Sequence, residues 1–499
     1  MTLDLFDPRL QLIASHLQGR DADAYVFGGA VRDALLGQAS SDLDLSVSAP
    51  VVGVGRELAD LLGGTYFDLD AARGIGRVTV AGPGALTVDL TGGLAAGDID
   101  RHLRTRDYTI DAMAVSIREL ALGGGAVIDS VGGLIDLRSG MVRAVSPSAL
   151  EDDPIRLLRG PRLAATMGLT LESSTAGWIR EQASLLVRVA PERVRDELLK
   201  LLSARGVTES LRGLDDLGLL TAVVPELEQA RGVVQPPEHH YDVLDHCIET
   251  PGALELILDG PRDGAVTGSV PEFGGMEEYF GRPFADGADR ATILRLTCLL
   301  HDIAKAATRT VEPSGRIRFL GHGPQGAAVC RDLMERLRFS RRSIRYVSTA
   351  VEHHLRPGQA APAGELPSAR AIYRYRRDLG DLAVDVLYLN MADYIAAKGP
   401  PMFEPGYDLS DWERHCSAVR TLLKGDDGQR SGTRSRAALL DGNDIMAELC
   451  LEPGPMVGEL LEMVDEARAA GEVESRADAL NLVRSALESG RVGPKSMPR

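Results

Sequence analysis

YVFGGAVRDALLGQASSDLDLSV, residues 25–47, is the stretch from which the fold is read. An apolar strand, Tyr25-Val26-Phe27, runs into the pair Gly28-Gly29 and then into a helical segment. That segment puts Val31, Leu35 and Leu36 on one face and Arg32 and Asp33 on the other. After a Gly/Gln/Ala/Ser turn, a second apolar strand carries Asp42 and Asp44. Residues two apart on a strand share a face, so the two carboxylates project together. Such a pair suits Mg²⁺, a hard cation that takes oxygen ligands and shares its shell with substrate phosphates. The glycines let the backbone approach a phosphate, and the helix start behind them favours an anion. A lone DxD or a lone glycine pair is more often an exposed turn. The two in this order and at this spacing are a far narrower signal.

Around this stretch the chain has 499 residues, more than one ordinary domain holds. Its 44% hydrophobic and 25% charged residues suit a globular protein with ample core. It contains no apolar run of about 18 residues, so no membrane partner is expected. The start, MTLDLFDPRLQLIASHL, is acidic from residue 4 and lacks the basic opening of a signal peptide. Five cysteines without CxxC spacing read as reduced, buried thiols in a cytoplasmic protein. A net charge of −17 argues against wholesale coating of nucleic acid and leaves room for a local basic groove. Arginines crowd at 156–162, 331–345 and 370–377, each a possible phosphate contact or a solvated helix face. DNA is not expected as a partner.

Residues 1–20 read as an amphipathic helix, 54–62 as another, and alternating runs at 64–69, 76–81 and 85–90 as strands. A strand region broken by glycines is expected over 126–145. Asp89, on the strand TVDL, is either a third carboxylate near the metal or a strand-end aspartate facing solvent. In RTRDYTIDAMAVS, Arg106-Asp107 stands at the mouth of an apolar segment, where the pair could hold the triphosphate and ribose of a nucleotide. In EDDPIRLLRGPRLAATMGLTLE a helix is expected from Pro154. It sets Arg156, Arg159 and Arg162 in a slowly rotating stripe beside Asp152-Asp153, able to meet a triphosphate and a base edge.

Four ordered motifs, GGAVRDALLG…DLDL, RDYTIDA, DDPIRLLRGPR and PERVRDELLKLL, resemble those of the class II tRNA nucleotidyltransferase/poly(A) polymerase family over residues 25–202. The resemblance implies an α+β chain, with a small β-sheet head followed by a helical neck and body. It implies that Asp42 and Asp44 bind catalytic Mg²⁺ and that Gly29 and Arg32 approach the triphosphate. Arg106, Arg159 and Arg162 would contact the nucleotide, and Asp152, Asp153 and Arg156 would read its Watson–Crick edge. The chain departs from the pattern at Thr105 and Asp111, where Arg and Asn are usual, at Asp152 in place of Glu, and at Leu163 in place of Phe.

Seven of the ten histidines lie between residues 239 and 354. The order His246, His301-Asp302, Asp393 resembles the HD phosphohydrolase superfamily, and GHGPQGA at 321–327 resembles the version appended to bacterial tRNA nucleotidyltransferases. Imidazole with carboxylate is a proper shell for Mn²⁺, Fe²⁺, Co²⁺ or Mg²⁺. His322, His353 and His354 belong to the same histidine-rich region. The Gly/Pro/acid-rich stretch 251–290 is expected as a loop or lid beside that site, and KGDDGQRSGTRSRA at 424–437 as a link to a helical tail. The expected division is a head at 1–145, a neck and body at 146–235, an HD domain at 236–400 and a linker with tail at 401–499. The function expected is addition of C, A or both to the 3′ end of tRNA from CTP and ATP. A poly(A) polymerase, or a phosphohydrolase whose head binds RNA, are the alternatives.

Overall fold

Seven short apolar runs pair into one sheet: β1 (Ala24–Phe27), β2 (Asp42–Val47), β3 (Thr65–Asp70), β4 (Ile75–Val80), β5 (Leu86–Thr91), β6 (Met113–Ser116) and β7 (Val127–Asp129). Their spatial order is β3-β4-β5-β2-β1-β6-β7. The computed structural model describes residues 2, 6–18, 23–38, 40–72, 74–82, 84–93, 98–362, 365–424 and 438–489. The 425–437 part of the expected linker therefore lies outside the described residues. β2 and β5 run parallel, and the other neighbouring strands are antiparallel. A parallel pair requires a crossover, supplied here by a helix and the β3–β4 hairpin. The helices beside the sheet are α1 (Arg9–Gln18), α2 (Gly29–Leu35) and α3 (Val51–Leu62). α3 is the crossover helix; it buries Val51, Val54 and Leu58 and stops at Gly63 in the left-handed region.

The chain divides into two compact units, Met1–Arg205 with Glu209–Pro225, and Gly206–Thr208 with Glu226–Arg499. In the first, the stretch 126–145 is not a broken strand region. It holds β7, the helix Gly133–Arg138 and the two-residue strand Met141–Val142. Asp129 is the reason: its carboxylate accepts the N–H groups of Gly132, Gly133 and Leu134 at 2.8–3.0 Å and starts a helix where the strand would continue. Further on come the helices Arg156–Met167, Ser173–Gln182 and Pro191–Ser203. The first of these begins two residues after the expected Pro154. At Gly160 a Cβ would stand 2.2 Å from the Tyr108 hydroxyl, so the helix sits directly on that buried ring.

The second unit is mostly helical. Val243–Asp259, His322–Arg336 and Ala383–Lys398 carry metal-ligand candidates, and Arg290–Leu300 and Arg341–His353 end directly before others. The expected loop at 251–290 is corrected here, because the Val243–Asp259 helix runs through Pro251 for another two turns. That helix buries Val243, Leu244, Cys247, Ile248, Leu254 and Ile257, and this packing outweighs the propensity penalty of an internal proline. After it come the short helix Met276–Gly281 and a hairpin of Pro283–Ala285 with Ala288–Asp289. Asp385 anchors the last of the five helices: it is fully buried and takes Arg290, Tyr279 and Tyr346. The tail helices Gly442–Leu449, Pro455–Ala469 and Arg476–Glu488 share a small core around Ile445, Leu460, Val464 and Val483. Cys247, Cys298, Cys330 and Cys416 are buried as expected. Cys450 is exposed, at the left-handed end of the Gly442–Leu449 helix, where its side chain is turned off the core.

Candidate functional site

β2 buries Leu43 and Leu45 on one face and carries Asp42 and Asp44 on the other. Asp44 stands opposite Asp89 across the parallel ladder and opposite Phe27 across the antiparallel one. Three carboxylates thus share one face of two adjacent strands. Asp42 is exposed and Asp44 half-buried. Burial pushes the Asp44 carboxyl up to about 6; Arg106 draws it down, and Asp89 adds to the rise. Such a carboxylate is short of positive charge, which fits a cation-binding role. Asp89 is differently placed, since Arg77 of β4 grips both its oxygens at 2.6 and 2.8 Å.

Gly28 lies at φ 71°, and a Cβ there would also sit 3.1 Å from Asp44 Oδ2. The turn therefore needs glycine both for its backbone and for its closeness to the carboxylate. Gly29 opens α2, and Arg32 on that helix bends back to the turn, paired with Asp33 at 2.7 Å and with Asp111. The Arg106 guanidinium carbon lies over the Phe27 ring, 3.8 Å from its centroid, with Nη2 2.6 Å from His102 Nε2. Burial and Arg106 pull His102 down to about 4, so its imidazole is neutral and accepts that bond. The Nε of Arg106 is buried without a hydrogen-bond partner, a donor available to a ligand. Asp107 is buried and accepts the Tyr108 N–H at 2.9 Å and Arg159 at 3.0 Å.

The expected arginine stripe separates into three different attachments. Arg159 takes Asp107, Arg162 takes Glu197 at 2.6 Å, and Arg156 donates to the Ala149 carbonyl at 2.8 Å. Asp152 is exposed, and Asp153 is held by Arg193 through two bonds of 3.0 and 2.7 Å. Arg193 and Glu197 lie in PERVRDELLKLL, one of the four motifs, in which the sequence singled out neither residue, although its alternating charges were the available signal. His102 and Arg77 carried no signal in the sequence.

In the second unit His246, His301, Asp302 and Asp393 come together as the sequence predicts, and a second group formed by Asp302, His322 and His354 adjoins them. The carbonyls of Cys298, Phe319 and Val351 lie 2.8, 2.6 and 2.7 Å from Nδ1 of His301, His322 and His354. A carbonyl can only accept, so each Nδ1 carries the proton and each Nε2 points inward. Nε2 of His246 and of His301 are 3.2 Å apart, as are those of His322 and His354. In the His322–His354 pair both Nε2 atoms then carry lone pairs, which repel at that separation unless positive charge lies between them. Ligand atoms bonded to one cation at ~2.1 Å and right angles stand about 3 Å apart, so the spacing fits. Burial alone would keep His301 neutral, but Asp302 and Asp393 overcome it and push the imidazole up to about 10. The acids thus call for a proton or a cation at that nitrogen. Asp302 faces both groups: Oδ2 lies 3.1 Å from His301 and Oδ1 3.4 Å from His322. Lys305 Nζ approaches Oδ2 at 2.6 Å and is itself held by Gln235 at 2.7 Å. His354 was visible in the sequence only as a member of a histidine-rich region and His322 only within GHGPQGA, because nothing in spacing ties them to Asp302.

Family models described as Poly A polymerase head domain, Probable RNA and SrmB-binding site of polymerase A, and HD domain match residues 24–83, 168–231 and 269–398. The A-adding tRNA nucleotidyltransferase of Deinococcus radiodurans is 34% identical over 467 residues, 92% of this chain and 95% of its own. The chain belongs to the tRNA nucleotidyltransferase family. Within the family, the CC-adding tRNA nucleotidyltransferase of Thermus thermophilus is 32% identical and covers 92% of both chains. In fold, this chain is similar to a CCA-adding enzyme solved in complex with ATP, with a TM-score of 0.64 at 19% identity over 99% of this chain and 97% of that one. The Thermotoga maritima CCA-adding enzyme in complex with tRNA gives a TM-score of 0.59 at 19% identity over 96% of each chain. Among the described residues, no helix is long and apolar enough to cross a membrane.

Proposed function

We propose that this protein is a tRNA 3′-end nucleotidyltransferase that adds C, A or both of the CCA terminus from CTP and ATP. The observation that carries the reading is the placement of Asp42 and Asp44 on one strand face against the left-handed Gly28 turn, with Arg106 close enough to act on the Asp44 charge. Asp42 and Asp44 would hold Mg²⁺, with Asp89 beside them. When bound, Mg²⁺ supplies activation of the terminal 3′-hydroxyl and neutralisation of the leaving pyrophosphate. The 3′ oxygen bonds to the α-phosphorus as the bond to the β-phosphate oxygen breaks. The chain's own part is placement: Gly28-Gly29 offers backbone to the phosphates, and Arg32, Arg106, Arg159 and Arg162 balance their charge. Asp107 orients Arg159, and Asp152, Asp153 and Arg156 meet the base. In this reading residues 1–145 carry the transfer, 146–235 the base and RNA contacts, 236–400 the second centre and 401–499 the grip on tRNA. The work is cytoplasmic.

A second reading, phosphate-ester hydrolysis by the HD unit, is favoured by the two adjoining ligand groups. Divalent cations of the Mg²⁺, Mn²⁺, Fe²⁺ or Co²⁺ type would be held there by His246, His301, Asp302 and Asp393 and by Asp302, His322 and His354. The deciding experiment presents tRNA lacking its CCA end with CTP alone, ATP alone and both, and tRNA ending in CC with ATP. Incorporation of one to three residues in the CCA order is expected. Rejection of CTP combined with long A tails would replace the reading with a poly(A) polymerase.

A further inference from the structure

Two carboxylates clamp the Arg32 guanidinium. Its Nε lies 2.9 Å and its Nη2 2.7 Å from Asp33 Oδ1, while Nη1 donates to Asp111 Oδ1. Asp33 is the next residue on α2 and stays beside Arg32 wherever that helix sits. Asp111 arrives from 79 residues away, in the turn Thr109–Asp111 that leads into β6. The clamp lies at the glycine turn itself. A Cβ on Gly29 would stand 3.3 Å from Arg32 Nη2, and one on Gly28 would stand 3.1 Å from Asp44 Oδ2 and 3.8 Å from the Asp111 carbonyl. The Arg32 and Asp111 side chains are only 12% and 13% exposed, so water does little to weaken their pairing. An anion that reaches this turn meets a guanidinium already engaged on one edge by a carboxylate of the second motif.

We propose that Asp111 is a positioning residue that competes with the incoming nucleoside triphosphate for Arg32 and so sets the affinity for it. The proposal rests on the nucleotidyl-transfer reading of the head. Asp111 holds the guanidinium against the Gly28-Gly29 turn while no phosphate is there, and the phosphate must draw Nη1 away from it. A charge-assisted bond is about twice as strong as a neutral one. Replacing the carboxylate with an amide of the same length therefore keeps an acceptor in place but lets the donor go more readily.

The test measures KM and kcat for CTP and ATP on truncated tRNA with the full chain. Asp111→Asn is expected to lower KM for the accepted nucleotide by roughly five-fold, about what weakening one charge-assisted hydrogen bond gives, and to change kcat much less. In an Arg32→Gln background the same substitution is expected to leave KM unmoved, because the contested donor is gone. A KM that is unchanged or raised in Asp111→Asn overturns the proposal. A fall of equal size in both backgrounds overturns it too, since that outcome is direct repulsion of phosphate rather than competition for Arg32. If Asp111→Asn does not melt cooperatively, Asp33→Asn frees the other edge of the same guanidinium, and its KM must fall likewise. An inactive wild-type chain counts against the nucleotidyl-transfer reading; an active one with no shift in KM counts against this proposal alone.

Discussion

In the head, Asp42, Asp44 and Asp89 stand on two neighbouring strands, one exposed, one short of positive charge and one gripped by Arg77. In the second unit, Asp302 and Asp393 meet four imidazoles brought in from separate helices, and His246, His301, His354 and Asp302 are almost wholly buried. Both donor sets suit a divalent cation, but they divide the ligands differently. The head offers oxygen alone and leaves part of the shell to something that arrives, as a hard cation shared with substrate phosphates requires. The HD cluster offers nitrogen and oxygen together, with the protons of His301, His322 and His354 placed by backbone carbonyls, and is nearly complete before any substrate comes. An open set suits a cation that enters with the nucleotide; a closed set suits a resident one.

The contrast breaks first at Asp42. Its side chain is exposed at the start of β2, so Asp42→Ala is expected to leave the fold intact and to lower CMP and AMP incorporation by roughly a thousand-fold or more. Metal analysis of the same variant should find the HD cluster as fully loaded as in the unsubstituted chain. Near-normal incorporation would remove Asp42 from the chemistry. The next largest effect concerns Asp302, which faces both ligand groups. Asp302→Asn should empty the cluster of tightly held cation, whereas His322→Ala should lose only the cation of the second group. Measuring bound metal per chain after dialysis separates these outcomes. Equal losses in the two variants would mean that the cluster holds a single ion.

Legibility in the sequence follows the same division. Gly28-Gly29, Asp42 and Asp44 lie within 17 residues of one another, so strand periodicity alone puts the carboxylates on one face, and the structure has them there. The α+β class and most element positions were equally plain, because alternating apolar runs and amphipathic stretches are local. What the sequence hid was long-range pairing. Arg77 meets Asp89 only because β4 lies beside β5. Arg193 meets Asp153 across 40 residues, and Arg32 meets Asp111 across 79. The HD residues show the intermediate case: the HD dipeptide and the flanking His246 and Asp393 were legible as an order, while His322 and His354 were assigned to the site only by the packing of their helices. Pro251 misled in the opposite direction, since a local breaker lost to the burial of the helix around it.

The smallest expected effect tests how far the open head site depends on the scaffold behind it. Glu172 caps the helix Ser173–Gln182, accepting the Thr175 N–H at 2.8 Å and the Thr175 hydroxyl at 3.0 Å. Burial would raise its carboxyl, but the N–H groups of Thr175 and Ser174 outweigh burial and hold it down to about 2. The folded-state value is thus below the unfolded one of about 4.3. The carboxylate's contribution is present in full above the unfolded value and is lost as pH falls from there through about 2. Glu172→Gln should therefore lower stability at neutral pH by about 1 kcal/mol, the usual cost of weakening a helix cap. The difference in melting temperature between the two proteins should narrow as the pH is lowered below about 4. Incorporation at 25 °C should stay within about two-fold, since so small a loss leaves the chain folded. A larger fall in incorporation without a matching fall in melting temperature would mean that this cap positions the nucleotide site, and that the head is less open than its exposed carboxylate makes it look.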